Sequence, residues 1–183
     1  MRSIFALTLL LLPAAATAAP PPHAPSQIDK LFGALAKAGS SDDSKIIEAQ
    51  IQTFFLQSGS PSIDLLMARG NSAAQNGDVE TAKKLFASIT SIEPGYAEGW
   101  HSRAELQVAT HDDEGAMISL QKTVTLNPRQ FMALIELAGM LAEYGDKAAA
   151  LATYRKVQAL DPQMEGLERR IHELSHAVEG ERI

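Results

Sequence analysis

The 183-residue chain contains no cysteine. That excludes disulfide staples, thiolate metal ligation, a cysteine nucleophile and a lipid anchor on cysteine, so the fold must be held by its core alone. Positive charge is also scarce. Lys and Arg number 16 against 22 Asp and Glu, for a net charge of −6, and a mildly acidic domain has no electrostatic reason to bind DNA or RNA. No segment alternates with period two for long enough to argue for a strand. The nucleophile-elbow, P-loop and dinucleotide fingerprints are missing as well.

What is present begins with a leader. Arg2 precedes an apolar run from Ile4 to Leu12, Pro13 breaks it, and the small residues 14–19 follow. The Ala16-Thr17-Ala18 pattern places cleavage after Ala18, giving a signal peptide at 1–18. The run is too short to span a bilayer comfortably, and no other stretch is apolar enough to do so. The expectation is an exported chain, periplasmic or secreted, with no membrane insertion once the signal is removed. Loss of Arg2 leaves 15 basic against 22 acidic residues, a balance of −7. The mature chain, about 165 residues, fits one domain. A proline-rich linker at 19–25 precedes it and reads as extended.

Pro94, Pro128 and Pro162 each stand 34 residues from the next. Two residues before them lie Ile92, Leu126 and Leu160. Eight before lie Phe86, Leu120 and Tyr154, twelve before Ala82, Ala116 and Ala150, and sixteen before Asp78, Asp112 and Asp146. A fixed period of this length is the mark of stacked supersecondary units. Each position has a physical role in a helix pair. The Asp residues N-cap the second helix and complement its dipole. Gly77 and Gly145 allow the preceding helix to end left-handed. The Ala residues let two helix backbones approach, and each proline is expected to start the next first helix. First helices are expected near 62–76, 96–110 and 129–144, second helices near 78–91, 112–126 and 146–160.

With Trp100 in the second unit, Gly70 in the first, Phe86 and Tyr154, and the three alanines and prolines, the pattern resembles the tetratricopeptide repeat (TPR) family, with units at 63–96, 97–130 and 131–164. Arg69, Arg103, Gln107 and His111 depart from the family's usual residues. The resemblance implies an all-α, right-handed solenoid of helix-turn-helix units with capping helices. The stripe Met164, Leu167, Ile171, Leu174 and Val178 reads as the C-terminal capping helix, within 165–179. Upstream, 26–60 reads as a further helix pair, a degenerate repeat or N-terminal cap.

The resemblance also implies a concave groove lined by the first helices: Asp64, Met67 and Asn71, with Ala74 and Gln75, from unit one; Glu98, His101 and Glu105, with Val108, from unit two; Met132 and Ile135, with Gly139, Ala142 and Glu143, from unit three. It further places Trp100 at a core position between helices. Met67, Met132 and Ile135 are apolar where solvent would be expected, and methionine suits adaptable contacts. These positions hold four carboxylates and no Lys or Arg. Relatives that grip chaperone C-terminal tails use Lys, Arg and Asn, of which only Asn71 is matched, so a neutral, apolar or basic segment is the expected ligand. The functional expectation is a non-catalytic protein-interaction scaffold with no cofactor. A second reading rests on His172-Glu173-Leu174-Ser175-His176, an H-E-x-x-H in which two His could ligate zinc with Glu173 as general base, as in a zinc-dependent peptidase or metal-binding protein. Only seven residues follow His176 to supply a third ligand, so the motif is expected to be a polar pair on a capping helix, with no metal.

Overall fold

The computed structural model describes residues 26–180; the expected signal peptide at 1–18 and linker at 19–25 lie outside the described residues. Among the described residues the chain forms nine helices and no strand: α1 (Gln27–Leu35), α2 (Ser41–Phe55), α3 (Pro61–Gln75), α4 (Val79–Ile92), α5 (Ala97–Ala109), α6 (Asp113–Leu126), α7 (Phe131–Glu143), α8 (Lys147–Leu160) and α9 (Leu167–Glu179). No helix among them is long and apolar enough to cross a membrane.

The 34-residue period acts through local chemistry. Asp78, Asp112 and Asp146 accept backbone N–H bonds from Thr81, Gly115 and Ala149 at 3.1, 3.1 and 3.0 Å, satisfying donors that a helix start leaves orphaned. The residue before each Asp is left-handed: Gly77 at φ 74°, His111 at 59° and Gly145 at 91°. His111 therefore takes the conformation its glycine counterparts take, at a steric cost they escape. The prolines differ from expectation. Pro94, Pro128 and Pro162 sit in the turns, three, three and five residues before the first helical residues Ala97, Phe131 and Leu167. Tyr96, Gln130 and Gly166 occupy the N-cap positions instead.

Each pair closes through small residues. Ala82, Ala116 and Ala150 have no exposed surface. Gly70 on α3 faces Phe86 on α4, where a Cβ would come within 2.7 Å of the ring and force it to shift. Gln107, at a position usually held by tyrosine in the resembled pattern, is buried and joins the two helices of its unit, accepting from Ser119 Oγ at 2.6 Å and donating to Asp112 at 2.9 Å. Trp100 is only half-buried: its Nε1 donates to the carbonyl of Pro94 at 3.1 Å, and Arg103 lies 5.5 Å from its ring centre.

The N-terminal pair does not behave as a cap on the first unit. Leu31, Phe32, Leu35 and Ile51 share one core with Phe131, Leu134 and Ala138 of α7, Tyr154 and Val157 of α8, and Leu167 of α9. The cause lies in α7, whose sequence Phe-Met-Ala-Leu-Ile-Glu-Leu-Ala-Gly-Met-Leu-Ala is apolar nearly all round. A helix of that kind needs partners on more than one face; α8 covers one, and α1 with α2 cover another. Arg129 locks the contact, pairing with Asp29 at 2.8 Å and lying 4.4 Å over the Phe32 ring. At the other end of α2, Tyr96 Oη donates to the Leu56 carbonyl at 2.9 Å.

Ser44 on α2 donates to the buried carboxylate of Asp161 at 2.6–2.7 Å, and Glu48 lies beside both. Burial and the hydrogen bond to Asp161 push the Glu48 carboxyl up to about 7, against a smaller opposing effect of Ser44. The folded state therefore holds a proton that the unfolded chain releases above its ordinary carboxyl pKa, and stability from this contact is lost as pH rises through the interval up to about 7. We expect a lower thermal midpoint at pH 6.5 than at pH 5, and we expect Glu48→Gln to flatten that difference; an equal drop in the variant would show that Glu48 does not govern it.

Candidate functional site

Spacings of three and four place Glu98, His101, Glu105 and Val108 on one face of α5, and Glu136 and Met140 on the facing turn of α7. His101 is 3% exposed. Its Nδ1 lies 3.4 Å from Glu98 Oε1 and its Nε2 lies 3.3 Å from Glu136 Oε1. Gln130, fully buried at the start of α7, holds the other Glu98 oxygen with an Nε2 donor at 2.6 Å. Burial opposes protonation of His101, but the hydrogen bonds to Glu136 and Glu98 and their charges outweigh it and lift the imidazole to about 10. At neutral pH this ring is an imidazolium braced between two carboxylates. Glu105 takes no part in that bracing. Burial raises its carboxyl pKa, and the charges of Glu136 and Glu98 raise it further against a lowering by His101.

Two cavities meet at Glu105. One, of about 370 Å³, is lined by Asn71, Ala74, Gln75, Glu98, Ser102, Glu105, Leu106 and Ala109, with Phe86 beneath and Leu56 from the end of α2. The other, of about 410 Å³, is lined by Glu105, Val108, Glu136 and Met140. Neither lining includes Lys or Arg. A further cavity of about 400 Å³ lies between α7 and α9 and does include them, as Lys147 and Arg170.

The expected groove residues separate under this geometry. Asn71, Glu98 and Glu105 line the first cavity. His101 lies under it as a buried support. Asp64 is engaged in the turn before α3, accepting from the Ser58 backbone at 2.9 Å and its hydroxyl at 2.6 Å. Met132 and Ile135 border a separate cavity of about 190 Å³ beneath α2, together with Lys45 and Glu48. Met67 contradicts its assignment to the solvent-facing groove. It is 3% exposed and packs with Ile63, Phe86 and Ile89, because it continues the buried Ile63–Met67–Gly70 face of α3. Glu136, Gln130 and Met140 were not anticipated. Glu136 falls 35 residues after His101, one beyond the period, so the repeat alone points to Ile135.

The H-E-x-x-H segment stands on α9. His172 and His176 are exposed, with their Nε2 atoms 3.3 Å apart. Among the described residues no third metal-donor side chain joins them; the cluster of three such donors is His101, Glu105 and Glu136. The peptidase reading thus lacks a ligand set in the described residues.

Truncating Met67 to Ala should cost about 2–5 kcal/mol, as for a core methionine, whereas Met132→Ala, at 37% exposure, should stay within about 0.5 kcal/mol. Urea titrations of the two variants check this, and similar midpoints would return Met67 to the surface.

No protein-family model matches the chain. A TPR repeat-containing protein of Rhizobium etli is 26% identical over 156 residues, covering 85% of this chain and 76% of that protein. The first TPR of Spaghetti bound to an HSP90 peptide, SRMEEVD, superposes with a TM-score of 0.58 at 17% identity, covering 64% of this chain and 93% of that one. The Yersinia enterocolitica type III secretion chaperone SycD, in complex with a peptide of the translocator YopD, gives a TM-score of 0.57 at 17% identity, with 68% and 97% covered. The relative's name and the folds of these neighbours agree with the 34-residue pattern, and the chain's fold is an all-α solenoid of TPR units.

Proposed function

We propose that the chain is a non-catalytic adaptor, exported from the cytoplasm, that holds a basic and apolar segment of a partner protein in the cavities on either side of Glu105. The observation that carries this reading is the composition of those cavities: apolar walls from Val108, Met140, Leu106 and Ala109, the carboxylates of Glu98, Glu105 and Glu136, and no Lys or Arg in either lining. Hydrophobic anchors supply most of the energy at such an interface, and charge selects the partner and speeds its approach. The peptide on the Spaghetti domain, SRMEEVD, ends in acidic residues. The same charge on a ligand here would meet the carboxylates of Glu98, Glu105 and Glu136, which supports a ligand of different chemistry. Export rests on the leader at 1–18 and the Ala16-Thr17-Ala18 cleavage pattern.

Fluorescence anisotropy with labelled peptides of matched apolar content tests the groove. A Lys-bearing peptide should bind and its Glu-bearing counterpart should not, and Glu105→Lys should weaken the first at least about tenfold. Preference for the acidic peptide, or no change in Glu105→Lys, would remove the groove from the reading. N-terminal sequencing of the protein from an envelope fraction tests export, with Ala19 as the expected first residue.

A further inference from the structure

His101 and Glu105 lie one helical turn apart on α5, and Glu136 faces them from α7. One nitrogen and two carboxylate oxygens from these residues fall within 4.8 Å of one another. We propose that His101, Glu105 and Glu136 form a binding site for a single divalent transition-metal ion, of the zinc, manganese or ferrous class, with open coordination positions facing the groove.

Four observations converge on this site. The first is the second layer around the histidine. Glu98 sits at Nδ1 and is itself held by Gln130 at 2.6 Å, so the ring is fixed with Nε2 turned toward Glu136. A carboxylate on the far nitrogen is the usual support of a metal-bound imidazole, setting its tautomer and raising its basicity. The second is an atom without a role. Glu136 Oε2 is buried and has no hydrogen-bond partner in the described structure, and a carboxylate oxygen in that state is costly unless a cation reaches it. The third is charge. Three carboxylates surround one imidazole, so the cluster stays negative even with His101 protonated, and a divalent ion offsets the excess. The fourth is access. Glu105 and Glu136 both line the cavity of about 410 Å³, which leaves room for water or a partner's donor atom on the ion.

The donor set narrows the ion. One imidazole with two carboxylates suits borderline and moderately hard ions, and the absence of cysteine leaves no thiolate for a soft one. The ion would engage Glu105 and Glu136, two of the carboxylates offered to a basic segment, but its binding is measured without peptide, so failure of one proposal is distinguishable from failure of the other.

The test uses the full chain, stripped with chelator, and zinc alone, followed by calorimetry at micromolar concentration with Co²⁺ absorption as a second readout. The expected result is one saturable site. Glu105→Gln, nearly isosteric and exposed to the groove, should lower affinity at least about tenfold while leaving the thermal melt unchanged. The His172→Ala/His176→Ala double variant should bind as the parent does. Absence of saturable binding, binding unchanged in Glu105→Gln, or binding lost in the double variant would each overturn the proposal; the last would place the ion on the exposed α9 histidine pair.

Discussion

The contact on which the rest of the structure depends is the approach of helix backbones at Ala82, Ala116 and Ala150, none of which exposes any surface. Each alanine lies near the start of a second helix and meets the first helix of its own unit. A larger side chain there would push the pair apart and shift every later unit, because a solenoid adds its units by nearest-neighbour contact. The same closeness forces Gly70 opposite Phe86. It also fixes where α5 and α7 run, and hence brings Glu98, His101 and Glu136 to hydrogen-bonding distance across two units.

The third unit shows what happens when a helix has more apolar surface than its own pair can cover. α7 is buried by α8 on one side and by α1 and α2 on another. The N-terminal helices therefore reach past the first two units to the far end of the array, and the Ser44–Asp161 and Arg129–Asp29 contacts hold them there. One consequence is a division of the expected groove. Met132 and Ile135 lie under α2, away from the cavities that meet at Glu105.

The parts of the fold governed by short-range chemistry were legible in the sequence. The aspartates at 78, 112 and 146 announce their helices because N-capping acts over three residues. His111 in the left-handed position could be placed from Gly77 and Gly145 by period alone. Other features depend on orientation and long-range packing, which a repeat does not encode. The prolines are ambiguous in the sequence, because both the turn and the first helical position tolerate a missing N–H. Met67 shares the Ile63–Gly70 stripe, so its burial was readable from spacing, but the family's groove positions outweighed that signal. Glu136 escaped because neighbouring helices cross at an angle and the residue facing His101 is displaced by one from the period. The docking of α1 and α2 left only an indirect trace, the excess of apolar residues in α7.

The proposed peptide-binding groove on α5 and α7 is open to direct observation. With uniformly labelled protein and a Lys-bearing apolar peptide, amide and methyl chemical-shift mapping reports which residues the ligand touches. The largest perturbations are expected at Glu105, Val108 and Met140, with Ala74 and Ala109 following and the exposed Ile92 and Ile118 on α4 and α6 silent. Perturbations centred on Ile92 and Ile118, with the α5–α7 cavities unchanged, would contradict the proposal.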